Sequence, residues 1–296
     1  MRPLLFALVS FFPLAACATS SLTFDSPEEA VKALVDSAED PSRAEELLGA
    51  GGFDMLKSGD EVADNEDMEA VRALIREKVA FENDGDDCRI ALLGNDAWPL
   101  PLPIVRDGNR WRFDVEAGKD EILTRRIGRN ELRTLETLRA IVDAQFEYAS
   151  EGRDGRPTGF ADKWASTEGK HDGLYWPAEN EQQSPLGPLV AAAAAQGYER
   201  PSKGDPEPYH GYFYRLLTAQ GSSAPGGAHS YLVDGQLRNG FAVVAWPATW
   251  GNSGIMTFVV NQRGMVYQRD LGDGTTTAAQ RITTFDPDAS WAPVEN

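Results

Sequence analysis

The sequence predicts an α+β protein of two packed domains, helices followed by small antiparallel sheets. Three observations predict it. Apolar residues recur at helical spacing from residue 27 to about 80, then alternate at strand spacing from residue 88. A second helical stretch, 119–152, separates that sheet from the C-terminal half. From residue 210 onward, short runs rich in Val, Tyr and Phe are bounded by Gly, Asn and Asp, the rhythm of an antiparallel meander. The expected divisions are 1–16, 17–23, 24–127 and 128–296.

The first of these is a leader. In "MRPLLFALVSFFPLAACATSS", Arg2 is a short positive start and residues 3–16 are almost wholly apolar, too few to span a bilayer as a mature helix. Small residues then precede Cys17, the pattern of a lipobox. The expectation is cleavage before Cys17, diacylglycerol on its thiol and a lipidated tether, 17–23. The alternative is an ordinary cleaved leader that happens to hold a cysteine. At about 0.8 kcal/mol per buried methylene, two or more acyl chains anchor stably where one does not. Ala18 in place of Asp favours the periplasmic face of the bacterial outer membrane. With Cys17 consumed, Cys88 is the one thiol left and no intrachain disulfide can form. Cys88 opens an apolar run and reads as a small core residue.

Losing residues 1–16, of which only Arg2 is charged, leaves 27 basic against 46 acidic side chains, a net charge of −19. Such a chain repels phosphate backbones and anionic headgroups. No nucleic-acid partner is expected, and membrane association should come from the lipid.

The elements run in order along the chain. Ser26 is an N-cap, Pro27 suits the first helical position, and Val31, Leu34 and Val35 repeat on one face. "SRAEELLG" is a second helix closed by Gly49, and a third runs from about Glu66 to Ala80. "CRIALLG" and the pair around Asp107-Gly108 are strands, with Trp98, Trp111 and Phe113 filling the space beneath the helices. In 119–152 the apolar stripe is Leu132, Leu135, Leu138, Val142 and Phe146; Gly128 is a break and Gly152 the end. A Gly/Pro-rich loop holding "GKHDGLYWP" leads to a helix at "PLGPLVAAAAAQG", the meander, a short helix near 276–282, and Trp291 docking back on the body.

In element order the first half is similar to the cone-shaped domains of the nuclear-transport-factor-like superfamily. The second half is similar to pilin and pseudopilin headpieces, though a lipobox stands where a prepilin site would be. The segments "RRIGRNE", "AQFEYAS", "KHDGLYWP", "SPLGPLVA", "YHGYFYRLLTAQG", "APGGA", "GFAVVAWPATWGNSGIMTFVVNQRGMVYQRDLG" and "FDPDASW", in order between Arg125 and Trp291, carry a resemblance that covers nearly all of the chain from about Phe24 to Val294. They resemble a bacterial family of exported proteins, the domain of unknown function numbered 2950. That resemblance implies an envelope location and no established activity.

For chemistry, His171, His210 and His229 lie far apart and show no metal-helix spacing, so no metal and no cofactor are expected. Ser253 sits in "GNSG", which reads as a hairpin turn rather than a nucleophile elbow. A triad of Ser253, Asp172 and either His171 or His210 stays open as an alternative. The acidic runs are solvated faces, without a calcium-loop or phosphate-loop pattern. The remaining candidates are aromatic and polar: His171, Asp172, Tyr175, Trp176, His210, Arg215, Trp246 and Trp250 would suit a sugar or peptide groove. For each ring the bland reading is a side chain filling the sheet core. The expectation is a non-enzymatic binding or assembly module with an envelope protein or glycan partner. The alternatives are an envelope hydrolase acting on peptidoglycan or a related polymer, and a structural subunit of an envelope complex. "KHDGLYWP" and "AWPATWG" are expected side by side at one sheet edge.

Overall fold

A computed structural model describes residues 22–37, 41–49, 52–155, 157–177, 183–198 and 207–295. Cys17 and the leader lie outside the described residues.

Helix α1, Pro27–Ser37, starts where the sequence places it. Ser26 Oγ accepts from the Glu29 N–H at 3.3 Å, and the Glu29 carboxylate accepts from the Asp25 N–H at 3.1 Å. Helix α2, Pro41–Leu48, ends at Gly49, whose φ of 83° is left-handed. A short α3, Gly52–Leu56, follows. Helix α4 spans Glu61–Glu77 rather than 66–80. It starts early because Asp60 caps it, accepting from the Ala63 N–H at 3.0 Å. It stops early because Lys78 is extended and Val79 enters a strand.

Strands β1 (Val79–Asn83), β2 (Cys88–Leu93), β3 (Trp98–Pro99), β4 (Ile104–Asp107) and β5 (Arg110–Phe113) form an antiparallel sheet in the order β1-β2-β4-β5, with β3 on β2. Gly108, at φ 62°, makes the expected turn. Val31, Leu34, Leu47, Leu93, Ile104 and Phe113 are the heart of this core. Trp111 and Phe113 are buried as expected, and Trp98 is half-buried beneath the Arg125 guanidinium.

Helix α5, Val115–Ala149, runs unbroken through Gly128 for 35 residues, about 52 Å at 1.5 Å per residue. Gly128 lies on its exposed side, where a Cβ would meet nothing within 4 Å. The cost of an exposed helical glycine, about 1 kcal/mol, is too small to break a helix packed on both sides of it. The helix passes from the first core at Ile122 to the second at Leu138 and Ile141. Of the expected stripe, Leu138 and Val142 are buried and Leu135 packs on the core, while the rest differs. Leu132 is 65 % exposed and Phe146 49 % exposed, whereas Arg126, Asn130, Thr134 and Thr137 are buried.

Helix α6, Gly187–Gln196, closes at Gly197 with φ 104°. Strands β6 (Tyr212–Leu217), β11 (Ala242–Pro247), β12 (Met256–Asn261), β13 (Val266–Asp270) and β14 (Ala292–Pro293) form the second sheet, antiparallel, in the order β14-β13-β12-β11-β6. Between β6 and β11 lie two small ribbons, β7 (Ala219–Gln220) with β8 (His229–Ser230) and β9 (Leu232–Val233) with β10 (Gln236–Leu237). Every residue of β11 is buried, because α5 covers one face of this sheet and α7, Thr275–Arg281, the other. The helix–loop–sheet order read from the sequence is present, and Trp291 packs on the core. The fold is α+β.

A polar seam joins the halves. Asp60 Oδ2 accepts from the Tyr198 hydroxyl at 2.8 Å and the Gly211 N–H at 3.0 Å. The Asn252 amide donates to Lys57 O and Ser58 O, and Arg126 reaches both Lys57 O and Asn252. Glu131 accepts from the Ile255 and Met256 N–H groups, and Asn130 donates to Ser253 O. Arg129 pairs with Asp67, and Arg133 faces Glu66.

Candidate functional site

The loop holding "GKHDGLYWP" is pinned to the end of α5. Asp154 (φ 50°) and Gly155 (φ 73°) turn the chain, and Asp154 then accepts from the His171 N–H at 2.7 Å and faces its Nδ1 at 3.2 Å. Those hydrogen bonds, the backbone one first, hold the Asp154 carboxyl below its ordinary range. Asp172 does not face His171 Nδ1. It is buried against Lys163 Nζ at 2.6 Å, the Thr167 N–H at 2.7 Å and Thr167 Oγ1 at 3.0 Å. Burial raises its pKa, but the Lys163 and Thr167 bonds outweigh that and hold the carboxyl well below the usual range.

Trp176 is buried between the His171 ring, edge-on at 4.8 Å, and the Arg153 guanidinium at 5.1 Å. Tyr148 of α5 donates to His171 O, and Tyr175 bridges to Ala165. The cavity beside these groups is about 30 Å³, enough for a water and little more. "AWPATWG" has other neighbours. Trp246 packs on Phe213 and under Arg215, and Trp250 donates to Asp270 Oδ1 at 2.8 Å.

His210 belongs to the seam. It is 5 % exposed, with φ 51°, and its Nδ1 lies 3.3 Å from Arg133 Nη1 and 3.4 Å from the Tyr198 hydroxyl. The Tyr209 ring packs against it, tilted by 42°, with centroids 4.1 Å apart. Burial, reinforced by the Arg133 charge, pushes its pKa down to about 4. An unprotonated Nδ1 accepting from Arg133 fits that shift. Arg215 donates to Ala279 O, Gln280 O and Ile282 O, closing the last turn of α7. Ser253 is fully buried and bonds with the Thr249 backbone. His171 and Trp176 thus come together, as do Arg215 and Trp246, while His210, Trp250 and Asp172 each keep separate partners.

Sequence reasoning missed a groove on the α7 face of the second sheet. It is open, with a volume of about 280 Å³. Val259, Leu271 and Ile282 give it apolar surface; Arg269, Arg281 and Trp291 line it from β13, α7 and the C-terminal segment. Asp286 and Asp288 also line it, Asp286 tied to the Ser223 N–H and Asp288 to Ser290. The Ser290 bonds hold the Asp288 carboxyl below its ordinary range. The available signal was "FDPDASW", an aromatic beside carboxylates in the tail. Among the described residues no group of three His, Cys, Asp or Glu side chains could hold a metal, and no helix is long and apolar enough to cross a membrane.

These features define an α+β protein of two cores, one polar seam and an open groove. Residues 21–294 match the family described as protein of unknown function (DUF2950), and the chain belongs to that family. No curated protein and no solved structure matches it.

Proposed function

We propose that the chain is a lipoprotein held by Cys17 at the periplasmic face of the bacterial outer membrane, and that its body is a non-enzymatic binding or assembly module. The observation that carries the binding role is the open groove of about 280 Å³ lined by an aromatic ring and two arginines. The volume lies near the lower end of the ~300–1,000 Å³ typical of ligand pockets. The anchoring half rests on "LAAC" and on proximity. Leu22 donates to Glu46 O and Phe24 pairs with Trp111, so the body begins five residues after Cys17, a reach of at most about 18 Å. The acidity of the chain supports a partner other than nucleic acid. The hydrolase reading finds less support, because His171, Asp172, His210 and Ser253 sit in four separate sets of partners.

Two variants test this. Cys17→Ser should move the protein from the outer-membrane fraction to the soluble periplasm; unchanged fractionation refutes lipid anchoring. Ala278→Trp fills the groove from α7 without removing a charge. It should abolish co-purification of the envelope component that the wild-type lipidated chain retains, with the melting temperature preserved. Equal retention by both proteins refutes the binding role of this groove.

A further inference from the structure

We infer that the groove between α7, β13 and the C-terminal segment takes an acidic saccharide, a sugar ring that carries a carboxylate. This rests on the binding role proposed above and names its ligand class. Trp291 is half-buried and lines the groove, so one ring can offer a flat apolar face to the C–H face of a pyranose. Val259 and Leu271 extend that apolar surface.

Two cations line the same small volume. Arg269 and Arg281 are exposed and make no ion pair within 4 Å among the described residues, though the Arg269 charge already acts on Asp288 of the same groove. Asp286 and Asp288 line it as well, so the arginines offer a point of attachment for a carboxylate within a lining of two basic and two acidic groups. A guanidinium binds a carboxylate through two parallel hydrogen bonds. Asp288 narrows the choice. With Asp286 it places two carboxylates in the lining, so the groove opposes a dianion such as phosphate while offering acceptors for sugar hydroxyls. A peptide added as a strand is disfavoured, because β14 already pairs with the outer edge of β13 at Tyr267 and Gln268. The volume suits one or two rings, not a long polymer segment.

The test is calorimetric titration of the full lipidated chain in a detergent without a sugar headgroup. The probes are N-acetylmuramic acid and glucuronic acid, their neutral counterparts N-acetylglucosamine and glucose, and inorganic phosphate. Both acids should bind at least about tenfold more tightly than the neutral sugars, the size of one charge-assisted contact. Arg281→Gln, an exposed change, should remove that preference. Trp291→Ala should weaken all four sugars, and melting curves of both variants establish that the fold persists. Equal binding of acids and neutral sugars, tighter binding of phosphate, no heat with any acid at millimolar concentration, or an Arg281→Gln protein that keeps the preference each overturns the assignment. If Ala278→Trp still abolishes envelope retention while the acids fail, the ligand class is wrong and the binding role stands.

Discussion

Replacing Asp60 by Ala tests the joint between the two halves. Its carboxyl is almost fully buried and meets three donors: the Ala63 N–H of the α4 cap, the Tyr198 hydroxyl and the Gly211 N–H. Loss of a cap costs about 1 kcal/mol. Tyr198 O–H and Gly211 N–H are then left in a site closed to water, at about 1–3 kcal/mol for each group that finds no substitute. Tyr198 can turn toward His210 Nδ1 at 3.4 Å, so only the backbone donor is left without recourse. The expected total is about 2–4 kcal/mol, a shift of about 1 M in the urea midpoint.

Asp60→Asn separates the parts. Asn is as good a cap, and the Tyr198 hydroxyl can accept from its amide, so the expected cost is about half that of Ala. A double-mutant cycle with Tyr198→Phe should show coupling of about 1 kcal/mol. Urea unfolding followed by circular dichroism and tryptophan fluorescence measures all five proteins, wild type and the double variant included. An Ala variant within about 1 kcal/mol of wild type, or an Asn variant as damaged as Ala, refutes the three-donor account.

Burial of neutral His210 makes stability depend on pH. With a folded pKa of about 4 against 6.5, the unfolded chain binds the proton first, so its contribution is complete above pH 6.5 and is lost as pH falls toward 4, by about 3 kcal/mol. Arg133, Arg129, Asp60, Tyr198 and Tyr209 surround the ring. His210→Asn, which tolerates the left-handed backbone, should flatten the profile in that window. Asp154 and Asp172, held low, lose their contributions only as pH falls below about 3.8, and unfolding midpoints across pH 3–8 separate the two effects. Trp176→Ala should cost about 3–5 kcal/mol and His171→Ala about 1 kcal/mol or less in thermal melts; a folded His171→Ala protein that loses all cellular function would make the loop a working site. Denatured mature protein should yield one thiol per chain by titration, from Cys88.

The range of each interaction decides whether the sequence reveals or conceals it. The α1 start at Ser26, the Gly108 turn and the Gly197 stop are set by neighbours within a few residues, and all were legible. The middle of α5 was not. Arg126 meets Lys57 O 69 residues away and Asn252 126 residues away, and Asn130 meets Ser253 O 123 residues away. A stripe buried through such bonds leaves no apolar period, and the apolar pattern selects instead Leu132, which is exposed, and Phe146, which is half exposed at the rim beside Phe160 and Phe241. His171 and Asp172 are adjacent in sequence yet bond to different partners, since neighbouring side chains in an extended loop face opposite ways. The groove was hidden for the same reason as the seam: Arg269, Arg281 and Trp291 come from a strand, a helix and a tail.

Gly128 gives the last prediction, because the two readings of it differ in sign. If the chain bent there, the glycine would supply freedom that Ala lacks, and Gly128→Ala would disturb the packing of both halves. In the structure Gly128 is helical, exposed and opposed by nothing within 4 Å of a Cβ. Ala then brings better helix propensity and a less flexible unfolded chain, a gain of about 0.5–1 kcal/mol. The consequence reaches function. A continuous α5 runs through both cores, and the seam bonds of Arg126, Asn130 and Glu131 flank Gly128 on either side. The groove is therefore held at a fixed orientation to the half nearest Cys17. Gly128→Ala should raise the urea midpoint and leave retention of the envelope component unchanged. A lower midpoint refutes the continuous helix, and lost retention at a raised midpoint refutes the fixed orientation.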